Sequence, residues 1–250
     1  MKSRKEPKGT EAMRDFAAAE SLLLQFGGLL QSLPKLLAEV ETSLPHASQE
    51  LQHLSRHHYR EWALVQNDAL FVQFTDETVL CRLVDAFHIY LADVIRLTLK
   101  HEPRLLRSNT VLKAEEILDY NSLDEIVEHL ITKKVDELAY RGFHAVLEYV
   151  RKGMGATMSL SEDVMSSATR AIAVRNIIVH NRGVVNQRFI DQTGASDVSP
   201  GSPYNVRTAD VLSWGEALRQ VVFTLDAALA THFRIPQKTL EPRRRRGAAF

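Results

Sequence analysis

Apolar residues recur at spacings of three and four along most of this 250-residue sequence. The pattern is clearest from Asp76 to Lys100, and its apolar positions are Leu80, Leu83, Val84, Phe87, Leu91, Val94, Ile95 and Leu99. At 3.6 residues per turn these positions share one face of an α-helix, whereas the alternation that marks a strand is nearly absent. The periodicity therefore predicts an all-α fold arranged as a helical bundle.

Turn-forming residues divide the pattern into further helices. The predicted helical segments are 11–26, 29–44, 48–63, 122–138, 143–150, 160–181, 184–192 and 208–233. Gly27-Gly28 is expected to stop the first of these helices, and Pro34 is expected to start or kink the second. Residues 64–75 are the one place where a strand competes with a helix, because the run is short and mixed.

Capping residues mark the helices nearer the C-terminus. Ser122 with Glu125 has the spacing of a capping box, which predicts a helix that begins after the serine. The pair Ser159 and Glu162 has the same spacing. Gly183 lies where a helix commonly ends with a residue in the left-handed conformation.

Composition divides the sequence into three predicted regions. Residues 1–60 are expected to form a flexible tail and an additional N-terminal helical region, residues 61–235 the main helical domain, and residues 236–250 a basic tail. Because residues 1–9 are polar and contain a proline and a glycine, we expect them to be mobile.

Charge and cysteine content narrow the class of protein. Lys plus Arg and Asp plus Glu both number 31, so the formal net charge is zero and only local patches can attract nucleic acid. The single cysteine, Cys81, lies among apolar residues and is expected to be a buried, reduced thiol, which favours a cytosolic protein. No run approaches the roughly 20 apolar residues of a membrane span. We therefore expect a soluble, cytoplasmic protein with no membrane partner.

Polar residues interrupt the apolar helix predicted at 160–181. They are Arg175, Asn176, His180, Asn181 and Arg182. Polar groups in such a run need a reason, because burying them without partners costs free energy. Asn176 and His180 are four residues apart and share a helix face, so the amide can orient the ring, whereas Arg175 points elsewhere around the helix.

These residue types suit phosphodiester cleavage without a metal. His180 falls in the predicted last turn, where unpaired carbonyls favour an imidazolium and general acid–base work. Arg175 carries a permanent charge and a planar fork that matches a phosphate. In RNA the neighbouring 2′-hydroxyl supplies the nucleophile.

A simpler interpretation accounts for the same residues. Arg175 as a surface salt-bridge donor and His180 as a partner of the helix dipole would need no chemistry at all. A purely structural helical interaction protein is therefore an alternative to an enzyme.

Other combinations of residues are weaker candidates. Asp85 and His88 are three residues apart, but helical di-metal sites use two Glu-x-x-His motifs with two more glutamates, a set that this sequence lacks. The Gly153-Met154-Gly155 segment lacks the lysine and hydroxyl residue of a nucleotide-binding P-loop. No metal and no cofactor are therefore predicted.

The stretch AIAVRNIIVHNRGVVN, residues 171–186, resembles the signature of the HEPN superfamily. That signature is an arginine, a polar residue, three or four further residues and a histidine near a helix end. Arg175, Asn176 and His180 match it position by position, and the following Asn181-Arg182-Gly183 is similar to many bacterial members. The order of the predicted helices extends the resemblance over residues 61–235.

The resemblance implies a HEPN-type bundle of four or five helices that commonly forms a homodimer and brings two copies of the motif to one cleft. It implies a metal-independent endoribonuclease of the RiboL-PSP-HEPN type, acting on RNA in a toxin–antitoxin or defence system, with an antitoxin-like protein as a further partner.

The resemblance also implies a role for each motif residue. Arg175 would stabilise the scissile phosphate, His180 would transfer protons, and Asn176 would orient His180 or the RNA. Asn181 and Arg182 would contact RNA. Because some members have lost activity, a non-catalytic HEPN-like module that binds RNA, a nucleotide or a protein is the alternative.

Overall fold

The computed structural model describes residues 7–43, 68–107, 117 and 120–240, and these are almost entirely helical. This part of the chain contains the helices α1 (Glu11–Ser43), α2 (Asp68–His101), α3 (Leu123–Arg141), α4 (Phe143–Glu148), α5 (Glu162–Asn181), α6 (Gln187–Thr193) and α7 (Thr208–Phe233). It also contains a 3-10 turn (Pro103–Leu106), a π turn (Tyr149–Gly153) and two short strands, β1 (Lys8–Gly9) and β2 (Lys238–Thr239). The prediction of an all-α helical bundle is confirmed, and the helix predicted at 48–63 lies outside the described residues.

The described residues form two compact units, each built from separate stretches of the chain. The first unit consists of residues 7–19, 85–107, 117, 120–166 and 217–240, and the second of residues 20–43, 68–84 and 167–216. The polar cluster at 175–182 therefore belongs entirely to the second unit. The domain boundaries predicted near residues 60 and 235 stay predictions.

Helix α1 is one continuous helix where the sequence predicts two. It runs through Gly27-Gly28 and Pro34, so the prediction that the glycines stop a helix is wrong. A Cβ atom built on Gly27 would lie only 2.9 Å from Cγ2 of Val79 in α2. Gly27 therefore allows α1 and α2 to pack closely, and this packing explains a glycine inside a helix.

Three other boundaries differ from the predicted ones. Residues 68–75 belong to α2, so no strand forms there. Helix α5 is capped by Ser161 and not by Ser159, because the Ser161 Oγ accepts the Val164 N–H at 3.3 Å. Helix α6 begins only at Gln187, because the Asn186 side chain caps it.

The predicted cap of α3 is confirmed. The Ser122 Oγ accepts the Glu125 N–H at 3.2 Å. The Glu125 carboxylate accepts the Asn121 N–H at 2.8 Å, one residue before the position that a capping box uses.

A buried carboxylate joins three helices in the second unit. Asp76 of α2 accepts hydrogen bonds from Nε2 of Gln31 in α1 at 2.7 Å and from Oγ1 of Thr208 in α7 at 2.8 Å. Burial raises the pKa of Asp76, and the two donors partly oppose this by stabilising the charged form. With the contact between Gly27 and Val79, these bonds set α1 antiparallel to α2.

A second buried carboxylate holds the start of α1 in the first unit. Asp226 of α7 accepts the Thr10 N–H at 3.0 Å and also the Thr10 hydroxyl. Thr10 directly precedes α1, so the bonds fix the beginning of that helix. Burial raises the pKa of Asp226, although the bonds from Thr10 and Gln237 act in the opposite direction.

The strands β1 and β2 form a two-stranded ribbon beside this carboxylate. Lys8 lies opposite Thr239 in an antiparallel pair, and the Leu240 N–H donates to the Pro7 carbonyl oxygen at 2.9 Å. Residues 7–9 therefore have fixed partners, which differs from the mobile tail expected over 1–9.

Replacing Gly27 with Ala should destabilise the protein relative to the same change at Gly28. The new methyl group meets Val79, whose χ1 angle is restricted in a helix. Such overpacking costs about 1–3 kcal/mol, which outweighs the roughly 1 kcal/mol that Ala gains over Gly in a helix. Gly28→Ala is the matched control, since nothing lies within 4 Å of its Cβ position, and it should stabilise by about 1 kcal/mol. Urea denaturation measures both, and equal stabilisation by the two changes would contradict the close-approach role.

Replacing Asp226 with Asn tests the cost of its buried charge. A raised folded-state pKa means that the folded protein holds the proton more tightly than the unfolded chain, in which an Asp has a pKa of about 3.9. The contribution of the carboxyl group to stability is thus complete below about pH 3.9 and is lost as the pH rises through the folded-state pKa. The unfolding free energy of Asp226→Asn minus that of wild type should therefore increase with pH.

Urea denaturation at several pH values measures this difference. Asp136→Asn removes an exposed negative charge from α3 and serves as the control. A pH-dependent difference for Asp226→Asn that is no larger than that of the control would contradict the argument.

Candidate functional site

The polar cluster occupies the C-terminal half of α5. The buried side of this helix is formed by small and branched apolar residues, namely Ala168, Ala171, Ala173, Val174 and Ile177. Arg175 and Asn176 flank this side and are half-buried, and His180 is exposed. The His180 end of the site is therefore open to solvent.

Helix α5 ends abruptly after Asn181. Arg182 and Gly183 both have positive φ angles, 54° and 73°, a conformation that glycine adopts freely and arginine rarely. The Gly183 N–H donates to the Ile177 carbonyl oxygen at 3.0 Å, so the chain folds back and satisfies one of the carbonyls at the helix end. The predicted left-handed glycine is confirmed, and Arg182 shares its conformation.

Asn181 braces the turn that follows His180. Its carbonyl oxygen accepts the Val184 N–H at 3.0 Å, and its Nδ2 donates to the Val184 carbonyl oxygen at 2.6 Å. The RNA contact that the HEPN resemblance implies for Asn181 stays a prediction. The role that its hydrogen bonds support is to hold the backbone next to the histidine.

The segment that joins α6 to α7, residues 194–207, runs back to the end of α5. Val184 pairs with Pro203 in an isolated antiparallel bridge, and the Tyr204 N–H donates to the Gly183 carbonyl oxygen at 2.8 Å. The Phe189 and Tyr204 rings lie 5.5 Å apart. These contacts therefore hold the segment against the left-handed turn at Arg182 and Gly183.

Arg170 fastens the same segment at a second point on α5. Its Nη2 donates to Oδ2 of Asp197 at 2.6 Å, and its Nε donates to the Tyr204 hydroxyl at 3.2 Å. The hydrogen bond from Arg170 is the main reason why the pKa of Asp197 is lowered. Sequence reasoning missed this clamp, because its members lie 27 and 34 residues apart and no local pattern connects them.

The three motif residues are not all brought together. Arg175 Nη1 donates to Asn176 Oδ1 at 3.4 Å, which is long for a hydrogen bond. Within the described part of the chain, no hydrogen bond joins Asn176 to His180, and the His180 ring has no hydrogen-bond partner. Arg175 and His180 are separated by about 140° around the helix and about 7.5 Å along it. Orientation of His180 by Asn176 stays a prediction.

The exposed groups at this helix end are an imidazole and a guanidinium. His180 can exchange protons with a substrate, since an exposed imidazole can act as a general acid or base. Arg182 lies two residues after His180 in the chain and is exposed, and its permanent charge attracts a phosphate. Among the described residues, no group of three His, Cys, Asp or Glu side chains could hold a metal ion.

No family model, curated protein or solved structure matches this chain. In the described part of the chain, no helix has both the length and the apolar character needed to cross a membrane. Membership of the HEPN superfamily therefore stays a prediction from the sequence.

Two substitutions of Arg182 show whether the stability at this position depends on its left-handed backbone conformation or on its charged side chain. Asn tolerates a positive φ, whereas a β-branched residue there is strained. Arg182→Asn should therefore keep or raise the free energy of unfolding, and Arg182→Val should lower it by about 1–2 kcal/mol. Arg234 has a φ of 56° in the first unit, so Arg234→Asn is the matched control. Loss of stability in Arg182→Asn equal to that in Arg182→Val would show that the side chain, and not the backbone, is responsible.

Proposed function

We propose that this protein is a metal-independent endoribonuclease of the HEPN type, acting on RNA in the cytoplasm as part of a toxin–antitoxin or other defence system. The observation that carries the proposal is the placement of His180, an exposed imidazole in the last turn of α5 with no competing hydrogen bond among the described residues. Arg175 precedes it and Arg182 follows it on the same short stretch. A histidine sealed in a core could not reach a substrate.

The proposed reaction uses only the protein and its RNA. A ribose 2′-oxygen attacks the adjacent phosphorus, the bond from phosphorus to the next 5′-oxygen breaks, and a 2′,3′-cyclic phosphate and a 5′-hydroxyl form. His180 accepts the proton of the 2′-hydroxyl as that oxygen attacks, and the resulting imidazolium gives a proton to the leaving 5′-oxygen, so that the protons balance. The guanidinium of Arg175 balances the charge that grows on the phosphoryl oxygens.

The rigid turn after His180 supports the same proposal. Asn181, Gly183 and Tyr204 hold the backbone there through four hydrogen bonds. A histidine on a well-braced helix end needs little rearrangement to act as acid or base, and such preorganisation is a general requirement of catalytic groups.

His180→Ala should lower the rate of RNA cleavage by about 10²- to 10⁴-fold. The melting temperature should stay unchanged, because the ring is exposed and no hydrogen bond to it is lost among the described residues. Arg175→Lys should also slow cleavage, since it keeps the charge but loses the planar fork. Denaturing gels of a labelled RNA measure the rates.

His101→Ala is the matched control for this experiment. His101 is also exposed in the last turn of a long helix, so it shares the helix-dipole environment without the motif. Cleavage should persist in this variant and in excess EDTA. Wild-type cleavage by His180→Ala would refute the mechanism, and activity that EDTA abolishes and Mg²⁺ restores would refute metal independence. RNA binding without cleavage would favour the non-catalytic module.

The active form is proposed to be a homodimer, with an antitoxin-like protein as a further partner. One α5 helix surrounds a phosphate poorly, because Arg175 and His180 point about 140° apart. A two-fold axis would bring identical surfaces of two copies together. Arg175 of one copy would then bind a phosphate beside His180 of the other.

Mixing Arg175→Ala chains with His180→Ala chains tests this sharing. Each variant alone should be inactive, and mixed dimers should regain part of the activity because one intact copy of each group is present. The two proteins are unfolded, mixed and refolded together, and their cleavage rate is compared with that of each protein refolded alone. Absence of any gain, in mixtures shown to contain mixed dimers, would contradict the shared site.

A further inference from the structure

Residues 21–36 of α1, in the second unit, expose an apolar stripe that the proposed function does not use. The α1 stripe consists of Leu22, Phe26, Leu29, Leu33 and Leu36, which follow one another at spacings of four, three, four and three. Leu22, Phe26, Leu29 and Leu36 are exposed over 56, 48, 58 and 47% of their surface. A single exposed leucine is ordinary, whereas a continuous exposed row marks an interaction surface.

The α1 stripe lies on the side of the helix that faces away from α2. Gly27 and Gln31 of α1 face α2, through Val79 and Asp76. At 100° per residue, the stripe positions lie about 140–180° around the helix from Gln31. The pairing of α1 with α2 therefore leaves the stripe uncovered.

The spacing of the α1 stripe fits a helix as its partner. Alternating steps of three and four residues form the seam along which two helices pack side by side. The neighbouring Gln25 and Ser32 are uncharged and bond within α1, to the Ser21 Oγ at 3.2 Å and the Leu29 carbonyl oxygen at 2.7 Å. Lys35 is the only charged residue from 21 to 36. Two copies of this surface can therefore meet without a row of like charges.

A lipid surface fits the α1 stripe less well than a second copy does. A helix that lies on an anionic lipid surface carries several Lys or Arg residues along its polar face, and this stretch has one.

We propose that the α1 stripe is covered by the α1 stripe of a second copy of this chain, related by a two-fold axis. With the half-buried Leu23 and Leu30, each copy offers on the order of 500 Å² of surface, so the pair buries about 1,000 Å². This area is near the lower limit for a specific interface. The association is therefore reversible and depends on protein concentration.

The test compares molar mass by light scattering over about 1–100 µM, the range of a weak interface. Leu22→Glu with Leu29→Glu places two carboxylates on the α1 stripe, and burying them against a second copy should weaken association by about 100-fold or more. At concentrations where the wild type associates, this double variant should have half its mass. Helix content and melting temperature at low concentration should not change, because both side chains are exposed.

Leu70→Glu with Phe74→Glu is the matched control. These α2 residues are 51 and 60% exposed and belong to the same unit, but they lie outside the α1 stripe. The control should keep the wild-type mass. His180→Ala should keep it too, so that failure of the nuclease proposal would leave this one standing.

Four results would overturn the proposal. A wild type that is monomeric over the whole range has no such interface, and a stripe variant that keeps the wild-type mass uses another surface. A fall in melting temperature without a change in mass would show that the chain covers its own stripe. Flotation of the wild type but not of the stripe variant with phosphatidylcholine vesicles, both being monomeric, would identify a lipid surface as the occupant.

Discussion

The abrupt end of α5 is the constraint on which the candidate site depends. A helix leaves its last carbonyls unpaired, and here the chain satisfies one by turning back through two consecutive left-handed residues, Arg182 and Gly183. That turn leaves His180 exposed in the last turn, with Asn181 bracing the backbone beside it. One more turn of helix would have placed further side chains over the histidine.

The helical fold could be predicted from periodicity because the helices are long and amphipathic. The last helix was predicted at 208–233 and has these bounds in the structure. The end of α5 was equally readable, because Gly183 directly follows the polar residues and glycine pays no steric cost at positive φ. Sequence patterns predicted the structure correctly where the stabilising interaction joins residues close in sequence. Ser122 is an example, because the N–H group that it caps is three residues away.

The same rules failed where a distant residue decides the outcome. Gly27 looks like a helix stop, but it is a point of close approach to Val79, 52 residues later. Asp76 and Asp226 carry no sequence mark of burial, since their donors come from distant parts of the chain. For the candidate site, the sequence placed Arg175, Asn176 and His180 on one helix. It could not show that Arg170 clamps the returning segment, because Asp197 and Tyr204 reach it only in the folded chain.

The ribbon of β1 and β2 makes the two ends of the described chain neighbours. Pro7 and Leu240 share a hydrogen bond, and the buried bonds between Thr10 and Asp226 lie next to it. A fluorescent donor attached ahead of Pro7 and an acceptor attached after Leu240 would therefore lie close to each other. The efficiency of energy transfer between the two dyes would stay high only while β1 and β2 are paired. A fall in this efficiency would therefore report the separation of the two strands when the protein unfolds.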